Sequence, residues 1–177
     1  MTRSFLWRIA SLTAVLATIA ACTPSRDWRE IRVDGDALTG LFPCRPERRE
    51  RTVPVAGVRL PMAMAVCATE GTTYAIAFVD VADPEAVGGA LSALREAAVR
   101  NIDGASPRET PFALAGTTPN VKAARVAVDG RLPDGTTVRE HAAFFVRGVR
   151  IYQASVVGPA PVPEAVETFF TGMKFRR

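Results

Sequence analysis

Three cysteines, a single histidine and one dense run of arginines are the residues of this 177-residue chain whose chemistry could matter most. His141 is the only imidazole, so a nitrogen–sulfur metal cluster would have to be built from it and from cysteines that have other uses. Its place in an apolar, strand-like stretch reads as a partly covered sheet residue. No G-x-S-x-G elbow is present, and a triad would have to assemble His141 in space with a hydroxyl such as Ser155. Asp129 and Asp134 share a segment with two glycines, but the calcium-loop pattern is missing and an ordinary turn is the better reading. Gly88-Gly89 lies inside a helical pattern and has no following Gly-Lys-Ser/Thr, so no phosphate cradle, metal or cofactor is expected. Arg45, Arg48, Arg49 and Arg51 crowd seven residues, interrupted by Glu47 and Glu50. Such a run either guards a sheet edge against pairing or offers bidentate donors to an anionic partner.

These groups are positioned by what precedes them. Arg3 and Arg8 form a short positive region, and Ile9 to Ala21 is apolar except for Ser11, Thr13 and Thr18. Such a run has the length of a signal-peptide core and falls short of the ~20 residues needed to span a bilayer. It closes on Ile19-Ala20-Ala21-Cys22, an aliphatic residue, two small ones and a cysteine. That quartet resembles the lipobox of bacterial lipoproteins. The resemblance implies a signal peptide over residues 1–21, cleavage before Cys22, and acylation of Cys22 with palmitate or a similar chain. Thr23 stands where an aspartate would signal inner-membrane retention in that family, so the resemblance points to the outer membrane, facing the periplasm. A tether over 22–27 would then join the lipid to one domain over 28–177.

Removing residues 1–21 leaves 156, the size of one domain with its own core. Lys plus Arg falls from 22 to 20 while Asp plus Glu stays at 18, leaving a net charge near +2. That small excess does not suggest a nucleic-acid partner. With Cys22 committed to lipid, Cys44 and Cys67 remain as a pair in an oxidising setting, where a disulfide is expected. Their segments, Arg48 to Val55 and Val58 to Ala68, read as a hairpin turning near Ala56-Gly57. Facing residues then have numbers summing to about 113, and Cys44 and Cys67 sum to 111, close to direct opposition on one face.

Further elements follow from periodicity. Ile31 and Val33 alternate with Arg32 and Asp34 as in a strand, and Asp34-Gly35-Asp36 reads as a turn. Tyr74 to Val81 suits a strand covered on both faces. Asp83-Pro84-Glu85 opens a helix whose Val87, Leu91, Leu94, Ala98 and Ile102 form one apolar stripe. Ser106 to Pro119 reads as a crossing loop, and a three-strand meander follows over 121–128, 137–146 and 149–157. A turn at Arg147-Gly148 would pair Phe144 with Ile151. Val138, Ala142, Phe144 and Val146 should share one face, with His141, Ala143 and Phe145 on the other. Pro163 opens a last helix striped by Val162, Val166, Phe169, Phe170 and Met173.

This is an α+β pattern, a mostly antiparallel sheet packed with helices. Its order — Trp28-Arg29-Glu30-Ile31, the Phe42-Pro43-Cys44 corner, a hairpin, a helix, a meander, a Phe169-Phe170 helix — resembles the PsbP-like fold, an α/β/α sandwich. The resemblance implies no catalytic residues and an accessory role, docking to a larger assembly. The expectation is therefore a lipid-anchored, non-catalytic envelope protein with the bilayer and an envelope protein as partners. The alternative is an envelope hydrolase using His141 as general base.

Overall fold

The computed structural model describes residues 26–35 and 37–176. Ten strands and two helices follow one another as β1 (Arg29–Arg32), β2 (Leu38–Phe42), β3 (Glu47–Val55), β4 (Val58–Thr69), β5 (Thr72–Asp80), α1 (Val87–Asn101), β6 (Ala105–Pro111), β7 (Ala124–Arg131), β8 (Thr137–Arg147), β9 (Arg150–Gly158), α2 (Pro163–Thr171) and β10 (Lys174–Phe175). Strands β3 to β9 form one antiparallel sheet in the order β3-β4-β5-β9-β8-β7-β6. A second, three-stranded sheet takes the order β1-β2-β10.

The large sheet separates two cores. On one face α1 lays Val87, Leu91, Leu94, Ala98 and Ile102 against Val79, Val126, Val138, Phe144 and Ile151. The other face is covered by α2 together with the small sheet, through Leu38, Phe42, Tyr74, Phe145, Tyr152, Val166 and Phe169. The two faces of β8 divide as the alternation requires: Val138, Ala142, Phe144 and Val146 point to α1, Ala143 and Phe145 away from it. Burial of the two stripes is the main stabilising term, at roughly 1.5–3 kcal/mol per large aliphatic or aromatic side chain.

The turns explain the register. Ala56 and Gly57, at φ 48° and 83°, close the β3–β4 hairpin, and Glu70 and Gly71, at 51° and 69°, close β4–β5. Two consecutive positive φ values match the right-handed twist of the flanking strands. Glu47 faces Val66, so facing numbers sum to 113 as the hairpin reading requires. Pro54 lies on the edge strand, and Pro61 lies one residue beyond the β5 ladder, which starts at Met62. A missing backbone donor is tolerated at both places. At the start of α1, a single 3₁₀ turn (Pro84–Ala86) is capped by Asp83, whose carboxylate accepts from the Glu85 amide at 2.8 Å.

Four expectations change. The β8–β9 loop is Gly148-Val149, so Val146 rather than Phe144 faces Ile151. Gly148 sits at φ 61°, and a loop begun at Arg147 would have forced a side chain into that left-handed region. Since the shift moves each pair by one residue per strand, the faces survive it. Asp129 and Gly130 are not a turn: they continue β7, where Gly130 faces Val138. A Cβ at Gly130 would collide with the Ile102 carbonyl, so the glycine lets the end of α1 rest on the sheet. Residues 105–111 are a strand, not a crossing loop; β6 is a fully exposed edge whose register shifts between Ala105 and Arg108, around Pro107. Lastly, Lys174 and Phe175 form β10 against β2, a pairing too short to leave a period in the sequence.

Candidate functional site

Cys44 and Cys67 are bridged, with their Cα atoms 6.0 Å apart. The bridge fastens the segment entering β3 to β4, one ladder position from Tyr74, which faces Cys67. Cys22 lies outside the described residues, as do the lipobox and the rest of residues 1–25.

The arginine run is spread over both faces of β3, and Arg48 and Arg49 both reach one cleft at its edge. Strand alternation turns Arg48, which faces Ala65, toward the small sheet, and turns Arg49 and Arg51, which face Met64 and Met62, toward the α1 side. Arg48 donates to the Arg32 carbonyl at 2.8 Å and to the Val33 carbonyl at 3.4 Å, so it holds the β1–β2 connection against the sheet edge. Arg49 pairs with Glu47 at 2.7 Å. Arg45 precedes β3 and is exposed. The four arginines thus lie along both flanks of an exposed edge strand.

Behind that edge the structure builds a cleft of about 380 Å³, lined by Asp34, Gly35, Arg48, Glu50, Ala63 and Phe78 among others. Asp34, in its wall, belongs to a polar knot that the sequence did not disclose. The Asp34 side chain is fully buried; it accepts from the Leu38 amide at 2.5 Å, from the Tyr152 hydroxyl at 2.5 Å and from Arg150 at 3.3 Å. Arg150 also grips Asp80 through two 2.6 Å hydrogen bonds and lies over the Phe78 ring, 4.5 Å from its centre. Tyr152 stacks on Phe145 with 5.1 Å between centroids. Burial, then the bond to Asp34, push the Tyr152 phenol well above its ordinary pKa, and the Arg150 guanidinium holds the Asp80 carboxyl below its own. A phenol so raised keeps its proton, so the knot acts as a brace for the 33–38 connection. The cleft in front offers guanidinium donors, a carboxylate acceptor at Glu50 and an apolar floor.

His141 is half-buried on the α2 face, opposite Val156 and Ala127. Desolvation, then Arg125 and Arg139, lower its pKa. Arg125 is itself held by Glu167 through bonds of 2.9 and 2.6 Å and lies over Phe170. Ser155 faces Ala142 and Ala75, on the α1 side, so the sheet stands between it and His141. Asp129 is paired with Arg139, and Asp134 accepts from the Thr136 amide at 2.9 Å, the ordinary turn contact. Among the described residues no three His, Cys, Asp or Glu side chains gather as a metal site. No helix among them is long and apolar enough to cross a membrane.

One buried acid went unnoticed. Glu140, 4% exposed, lies on the α1 face between Val128 and Val157, and desolvation raises its pKa to about 7. A signal was present, because position 140 falls inside the apolar alternation of Val138, Ala142 and Phe144.

No family model matches the chain, and no curated protein matches it.

Proposed function

We propose that this chain is a bacterial envelope lipoprotein, acylated at Cys22 and held at the outer membrane facing the periplasm, whose PsbP-like domain is a non-catalytic docking module. The lipobox-like Ile19-Ala20-Ala21-Cys22 behind a charged and apolar leader supports the anchor. The docking role rests chiefly on one observation: β3 is an exposed, nine-residue edge strand backed by the Asp34–Arg48–Phe78 cleft. An edge strand offers unpaired backbone groups to an added strand, and a cleft behind it can seat a side chain of that strand. A protein strand is the partner this geometry suits, and the proposed anchor would make that partner an envelope protein. The rival reading, a hydrolase based on His141, has less to draw on, since Ser155 lies across the sheet and burial, then Arg125 and Arg139, disfavour the imidazolium.

The experiment is crosslinking from Ala63 and Glu50 positions in the native envelope, followed by affinity capture through the protein. A discrete adduct from position 63 that disappears when Arg48 and Glu50 are both replaced by Ala supports docking at β3. Adducts no different from those formed through Gly89, on the exposed side of α1, would rule that surface out. Palmitate incorporation that survives Cys22→Ala would overturn the anchor.

A further inference from the structure

We infer that the end of the domain carrying the β4–β5 turn is the end that meets the lipid surface, and that the β3–β4 turn is held away from it. The inference rests on the proposed acylation of Cys22. Its geometry comes from where the chain enters the domain. Arg26 pairs with Glu70, in the β4–β5 turn, at 2.5 Å. The Asp27 amide donates to the Pro43 carbonyl at 2.9 Å, and Trp28 meets the edge of Tyr74 with 6.3 Å between centroids. Pro43 adjoins Cys44, whose bridge to Cys67 ties this entry point to the same end of β4. Charge, backbone and ring contacts thus pin residues 26–28 beside the Glu70-Gly71 turn.

Three residues lie between Cys22 and Arg26, so four residue steps join them. At a limit of about 3.6 Å per residue, the acylated cysteine lies within ~14 Å of Arg26 whatever path those residues take. Strand β4 sets the other length. It runs for 12 residues from the Ala56-Gly57 turn to the Glu70-Gly71 turn, about 36–40 Å at 3.3 Å per residue. A tether of ~14 Å cannot invert a body that long. The Glu70 end must therefore stay near the headgroups, and the Ala56 end projects into the aqueous space.

The register shows what shares each end. Gly158 packs against Gly71 and faces Arg139, so the start of the 159–162 link and the 132–136 loop stand beside the β4–β5 turn. Two ion pairs stand there, Arg26 with Glu70 and Arg139 with Asp129, while Arg131 and Asp134 bond to loop backbone and offset one another in charge. Contact with headgroups then follows from the length of the tether. The opposite end carries Val58 and Val149, 57% and 38% exposed, on the β3–β4 and β8–β9 turns.

The test uses the full, lipidated protein from envelope membranes, reconstituted in phosphatidylcholine vesicles containing brominated lipid. Single cysteines replace Pro133 or Ala56, each with a fluorophore; both sites are exposed, and the native Cys44 and Cys67 are bridged. Circular dichroism matching the parent shows that each variant is folded, and Asp134→Cys and Val149→Cys supply a second pair. Quenching at 133 at least three-fold above that at 56 is expected. Equal quenching at both ends, as in a domain lying flat, or stronger quenching at 56, would overturn the orientation while leaving the anchor intact. Palmitate labelling of the same preparations separates the two readings, because a protein without label and without quenching at either site removes the anchor and this inference with it.

Discussion

The phenol of Tyr152 donates a 2.5 Å hydrogen bond to the carboxylate of Asp34, a residue 118 positions away whose side chain is fully buried. The bond joins the connection between β1 and β2 to the central strand β9, and it stands at the back of the cleft behind β3. Tyr152→Phe removes one of three donors to that carboxylate and should cost roughly 1–3 kcal/mol. Asp34→Ala strands the phenol and the Leu38 amide and frees the 33–38 connection, and should cost at least as much. Urea unfolding checks both, with hydrogen exchange at the Leu38 amide as the local readout.

Reduction of the Cys44–Cys67 bridge, or the double change Cys44→Ala with Cys67→Ala, should lower stability by roughly 3 kcal/mol in the chain-entropy model for a loop of this length. The thermal midpoint measured with and without reductant reports this. Mass spectrometry after alkylation without reductant should find neither thiol modified.

Glu140 gives stability a pH dependence of uncommon sign. Its folded pKa, about 7, lies above the ordinary 4.5, so between those values the folded state holds a proton that the unfolded chain has released. Stability contributed by the neutral acid is therefore lost as pH rises from about 4.5 through 7, by roughly 3 kcal/mol in all. Glu140→Gln should abolish that slope and be the more stable protein at pH 8. Urea midpoints at pH 5, 6, 7 and 8 test it, with His141→Gln as the control. The lowered His141 acts in the opposite sense, costing stability as pH falls through the histidine range.

Two glycines should respond in opposite directions to alanine. At Gly130 a Cβ meets the Ile102 carbonyl and side chain, and Gly130→Ala should destabilise by roughly 1–3 kcal/mol. At Gly89, inside α1, a Cβ meets nothing within 4 Å, and Gly89→Ala should stabilise by about 1 kcal/mol. Thermal midpoints of the two variants decide this.

Local rules were legible wherever one residue type sets one geometry. Asp83-Pro84 begins a helical turn because proline presets φ and the aspartate satisfies a free amide. The apolar stripes of α1 and α2 are buried as periodicity requires, apart from Val162, 38% exposed at the mouth of α2. The Cys44–Cys67 pairing could be read because one hairpin carries both residues and its turn residues set the register. By contrast, β6 escaped notice because an edge strand exposed on both faces has no alternation to detect. The arginine run is divided for a related reason. Adjacent residues in sequence lie on opposite faces of a strand, so the run spreads over both flanks of β3, with Arg48 and Arg49 meeting again at the cleft.

What the sequence determined by itself was both helices, the disulfide, and the β3–β4 hairpin and β8 with their faces, since all depend on spacing within a few residues or across one tight turn. Tertiary structure alone decided which strands stand at the edges, that Asp34 meets Tyr152 and Arg150, and that Ser155 and His141 are parted by the sheet. Those contacts depend on the order β3-β4-β5-β9-β8-β7-β6, and strand order is settled by the joint burial of both faces of the sheet, a sum over the whole chain that no local pattern contains.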